Sequence, residues 1–77
     1  MTDKVIEIFA DELMVDPSEL NEDSNPDNTE SWDSLASMRL VAAFEEAFDI
    51  RLSTAEILKM RTIGIVRSIL IEKGVEL

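Results

Sequence analysis

A chain of 77 residues has room for one small domain, because domains run from about 50 to 250 residues and chains this short bury roughly 60% of their unfolded surface. Aromatic residues make up 5% of it, so the core must be thin and aliphatic, and the absence of cysteine and histidine excludes disulfides, thiolate metal sites, a thiol nucleophile and the commonest general base. Seventeen acids against seven bases give a net charge of −10, which opposes nucleic-acid phosphates and anionic membranes and favours a basic partner surface.

Apolar residues recur at three- and four-residue spacing, which predicts an all-α fold. A first helix is expected from Asp3 to about Met14, with Thr2 as N-cap and Val5, Ile6, Phe9 and Leu13 on one stripe. Asp16-Pro17 stops it and opens a single helical turn through Leu20. From Asn21 to Ser31 the residues are those of turns and loops. The whole connection from Val15 to Asp33 holds seven acids and no base, and loops of that length are often functional. Within it, Asp23, Asn25 and Asp27 have the spacing of the first three ligands of a calcium loop. Asn28 then stands where such loops need glycine, and Ser34 where they need a bidentate glutamate.

Ser34 to Asp49 reads as the central helix, with Leu40, Val41, Phe44, Ala47 and Phe48 facing the core. Ser53-Thr54-Ala55-Glu56 has capping-box spacing and opens a short third helix carrying Ile57, Leu58 and Met60. Thr62 caps a fourth, in which Ile63, Val66, Ile69 and Leu70 share a face and Gly74 marks the end. Arg67 interrupts the apolar run near the end, and no apolar stretch follows the first residues, so neither a membrane span nor a signal peptide is expected and a cytoplasmic monomer is. Residues 1–50 hold 14 of the 17 acids and 2 of the 7 bases, which puts any electrostatic docking face in the first two thirds of the chain.

The junction Trp32-Asp33-Ser34-Leu35, where the acidic loop meets the central helix, is the candidate site. At about 100° per residue, Ser34, Leu35, Met38, Arg39, Ala42, Glu45 and Glu46 fall on the side away from Leu40, Phe44 and Phe48. Leu35, Met38 and Ala42 have the spacing by which a helix offers anchors to a partner. Ser34 reads equally as an ordinary N-cap. It has no histidine and no nearby lysine to take its proton, so it is not a nucleophile in its own right. Modification by another enzyme stays open beside the cap reading, since a helix N-terminus accommodates an attached phosphate. Asp33 beside it offers such an enzyme a contact for a metal or a basic residue.

Asp33-Ser34-Leu35, followed by Leu40-Val41-Ala42-Ala43-Phe44-Glu45-Glu46-Ala47-Phe48-Asp49-Ile50, resembles the attachment motif and second helix of acyl carrier proteins. The Asp16-Pro17 turn, the long first loop and the Thr62-Ile63 helix start extend the likeness over nearly the whole chain. The resemblance implies a small four-helix bundle that is not an enzyme. It also implies 4′-phosphopantetheine, taken from coenzyme A by a phosphopantetheinyl transferase, esterified to Ser34 and holding acyl or aminoacyl groups as thioesters. Loading and transfer enzymes with basic surfaces would then dock on Leu35, Met38, Arg39, Ala42, Glu45 and Glu46. Trp32 stands where carriers of fatty-acid synthesis usually have glycine, and Ala36 and Arg39 occupy positions often acidic there. That is more like stand-alone carriers of specialised pathways, such as polyketide, aminoacyl or surface-polymer synthesis. Trp32 is expected to pack the loop on the core rather than to meet a partner. Two alternatives stand beside this reading: an acidic helical interaction module without a prosthetic group, and a weak calcium-binding module.

Overall fold

The computed structural model describes residues 3–76. Four α-helices follow one another: α1 (Lys4–Leu13), α2 (Ser34–Phe48), α3 (Thr54–Lys59) and α4 (Ile63–Glu72), with a 3-10 turn at Pro17–Glu19 and no strand among the described residues. The expected all-α, four-helix architecture is present.

Each helix begins on a side chain that satisfies the amides its first turn leaves free. Asp3 caps α1, accepting from the N–H groups of Val5 and Ile6 at 3.1 and 3.2 Å. This corrects the expected start by one residue; Thr2, the expected cap, lies outside the described residues. Asp16 and Glu19 form a capping box around the 3-10 turn, and Ser53 and Glu56 form another at α3. Thr62 caps α4 through the Ile65 N–H at 3.0 Å. Both α1 and α2 end on a residue in the left-handed region, Met14 at φ 57° and Asp49 at φ 52°. In each case the next residue, Val15 or Ile50, returns its N–H to the helix and lays an apolar side chain against the core. Gly74, at φ 90°, lies just beyond α4 as expected.

Phe9 packs against Phe44 at 5.4 Å between ring centroids while Glu12 faces Arg39, so α1 and α2 run antiparallel. Val5, Phe9, Leu13, Trp32, Ala36, Leu40, Phe44, Ile63, Val66 and Leu70 form one buried cluster. Val41, Leu52 and Ile69 form a smaller one. Phe9 contacts both Trp32 and Phe44. Truncating such a residue costs about 3–5 kcal/mol, comparable with the whole stability of a domain this small. The face predicted for α2 needs one exchange, because Ala47 is exposed whereas Ala36 is fully buried.

The acidic loop is strapped to α4. The first two amides of α4, at Ile63 and Gly64, donate to the carbonyls of Ser24 and Glu22 at 3.1 and 3.0 Å. A Cβ at position 64 would stand 3.2 Å from that same Glu22 oxygen, which is why glycine fits there. Arg67 completes the strap by gripping Glu22 on the loop and Asp3 at the start of α1, with its shortest bond to each at 2.8 Å. These donations hold the Asp3 carboxyl below the usual carboxylate range, Arg67 contributing most and the Ile6 and Val5 amides adding to it. The same pairs raise the Arg67 guanidinium, Glu22 first and then Asp3.

Candidate attachment site at the start of α2

Asp33 is the last extended residue of the loop (φ −108°, ψ −174°). Its carboxylate accepts the Ala36 N–H at 2.8 Å. Asp33, not Ser34, is therefore the N-cap of α2, which overturns the ordinary-cap reading of the serine. Ser34 is left as the first helical residue, exposed, with its hydroxyl making no hydrogen bond among the described residues. It sits at the positive end of the helix dipole, an environment that accommodates a phosphodiester. An exposed, uncommitted hydroxyl is what a phosphate-linked group attached there requires.

Trp32 is 3% exposed and lies against Phe9 at 5.0 Å with the rings tilted by 57°. Its indole N–H donates to Ser37 Oγ at 3.0 Å, so a ring that could not be buried with an idle donor is fully satisfied. The expected packing role of Trp32 is what the structure shows. Ser37 was not legible as its partner from the sequence.

Of the expected docking residues, Leu35 and Met38 are 68% and 61% exposed, and Arg39, Ala42 and Glu46 are exposed beside them. Arg39 lies 3.8 Å from Glu12, a long surface pair worth little. Glu45 is half-buried and its carboxylate accepts the Leu52 N–H at 2.9 Å, so it also anchors the α2–α3 connection. Ala36, beside Leu35 in sequence, is fully buried in the core.

Inside the acidic loop, side-chain amides make turns rather than a cation cage. Asn25 accepts from the N–H groups of Asp27 and Asn28 and donates to the Asp23 carbonyl. Among the described residues no cluster of three or more acids is placed to hold a metal ion.

Two comparisons bear on this site. The family described as "Phosphopantetheine attachment site" matches residues 3–64. An acyl carrier protein of Chlamydia felis is 39% identical over 64 residues, which span 83% of this chain and 82% of that protein.

Proposed function

On the premise that this chain belongs to the acyl carrier protein family, whose members hold 4′-phosphopantetheine and are not themselves enzymes, we propose that Ser34 is the attachment residue. The observation that carries this is the division of labour at the junction: Asp33 caps α2, and the Ser34 hydroxyl is exposed and uncommitted. When attached, the arm supplies the thiol that a chain without cysteine lacks, and with it the means to hold an acyl or aminoacyl group as a thioester.

What the chain contributes is placement. Ser34 presents Oγ as the atom that forms the new bond to phosphorus while the bond to the departing nucleotide of coenzyme A breaks. Its proton must pass to a base on the transferase, because the chain has no histidine and Asp33, the neighbouring carboxylate, is held in the cap. Leu35, Met38 and Ala42 offer apolar anchors to the transferase and to loading enzymes, and Arg39 and Glu46 set the local charge. Glu45, less exposed than Glu46, keeps its charge on this face while accepting the Leu52 N–H. Brief, repeated hand-over suits a small interface with few deep anchors. Trp32 and Arg39 at positions where fatty-acid carriers usually differ favour a stand-alone carrier of a specialised pathway. No helix among the described residues is long and apolar enough to cross a membrane. Incubation with coenzyme A and a broad-specificity phosphopantetheinyl transferase, followed by peptide mapping, tests the assignment.

A further inference from the structure

We infer that Trp32 and Ser37 are positioning residues for the modification of Ser34, acting through a brace that spans the junction. The inference rests on Ser34 being the attachment residue. Two hydrogen bonds are nested around that serine. The inner one joins Asp33 to the Ala36 N–H at 2.8 Å. The outer one joins the Trp32 indole to Ser37 Oγ at 3.0 Å. Residues 33–36 are thus enclosed by contacts made on both sides of them, while the Ser34 hydroxyl makes no hydrogen bond among the described residues.

The direction of its hydroxyl is therefore set by its neighbours alone. First turns of helices fray, and fraying here would sweep Oγ through a range of positions. The outer bond resists it because its donor is immobile: Trp32 is 3% exposed, pressed on Phe9, and belongs to the same buried cluster as Ala36 and Leu40. Ser37, in the second turn of α2, is in this way tied to a fixed point of the core. For an in-line attack on phosphorus, misplacement by an ångström costs on the order of a hundredfold in rate, so a modest loosening of the junction is felt in the chemical step rather than in docking. Neither Trp32 nor Ser37 belongs to the exposed face formed by Leu35, Met38 and Ala42, which separates their effect from that of a contact residue.

The test is steady-state transfer of phosphopantetheine from coenzyme A to the intact chain by a broad-specificity transferase, with the site of modification read by peptide mapping. Ser37→Ala removes the acceptor and Trp32→Phe removes the donor while keeping a ring on Phe9. Each is expected to lower kcat by roughly tenfold with the KM for the carrier within about twofold of wild type. The double variant is expected to be no slower than the slower single one. Ser37→Thr keeps the hydroxyl and restores the rate. Val66→Ala, a core truncation in α4, lowers the thermal midpoint without slowing transfer, which separates positioning from stability. Wild-type kcat in both single variants, or a loss confined to KM, overturns the brace while leaving Ser34 in place. Failure of the wild-type chain to be modified at Ser34 overturns the underlying assignment instead.

Discussion

The Asp33 carboxylate accepts the Ala36 N–H at 2.8 Å and so relieves Ser34, its neighbour, of the task of capping α2. With modification proposed at Ser34, capping and modification fall to adjacent residues, and their energetic signatures should separate. Asp33→Ala is expected to cost about 1 kcal/mol of stability, within the usual range for a lost cap. Ser34→Ala should change stability by less than about 0.5 kcal/mol, as surface substitutions without partners do. Urea unfolding of the unmodified chain measures both; equal losses would mean that the serine shares the cap.

A second expectation concerns acid. Asp3 has its carboxyl lowered chiefly by Arg67, so the pair stabilises the fold above the carboxylate's unfolded value, near pH 4, and that contribution is lost as pH falls through the lower folded value. Arg67→Gln should reduce stability at neutral pH by about 1 kcal/mol or less, since the groups are partly exposed. It should also flatten the fall in stability below about pH 4. Thermal midpoints between neutrality and strong acid would show it; an unchanged acid limb would mean that Asp3 is not held by Arg67 in solution.

Salt acts mainly through the rest of the surface. With a net charge of −10 and the loop acids crowded between Asp16 and Asp33, self-repulsion should be screened by added salt and the thermal midpoint should rise. Asp23→Asn with Asp27→Asn should weaken that response. A midpoint independent of ionic strength would contradict it.

On the docking face, Met38→Ala is expected to lower productive transfer by roughly threefold to tenfold with little change in ionic-strength dependence. Glu46→Lys should slow association most at low salt. Arg39→Glu should shift preference towards partners with uniformly basic docking surfaces. Glu45→Ala should behave differently from all three, costing about 1–2 kcal/mol of stability by freeing the Leu52 amide. Transfer rates across a panel of transferases and loading enzymes, with unfolding curves for the same variants, separate these outcomes. If impairment follows Leu58→Ala in α3 and none of the α2 variants, the face lies on another helix.

Helix boundaries were legible because caps are local chemistry. Asp16-Pro17, Ser53 to Glu56 and Thr62 carry their signals within four residues, and the motif Asp33-Ser34-Leu35 is what singles out Ser34 for the proposal. The cap reading of Ser34 failed locally, to its neighbour Asp33; the rest was not legible because a distant element decides. The expected core face of α2 included Ala47 and not Ala36, but Ala36 packs into the cluster containing Trp32 while Ala47 is exposed. A helical wheel gives Glu45 no partner within the chain, whereas the segment after α2 folds back to bring the Leu52 N–H to it. Ser37 carries no sign of its bond to Trp32. Arg67 meets partners 45 and 64 residues away, and no spacing rule connects them.

The central claim is that Ser34 carries the prosthetic group, and site-resolved mass spectrometry tests it most directly. After incubation of the intact chain with coenzyme A and a broad-specificity phosphopantetheinyl transferase, the peptide containing Ser34 should gain a single phosphopantetheine, and fragmentation should place it on that serine. Ser34→Ala should show no gain while its helical circular dichroism stays that of wild type. An unmodified wild-type chain under conditions that modify another carrier, or a Ser34→Ala chain that still gains the group, would contradict the account.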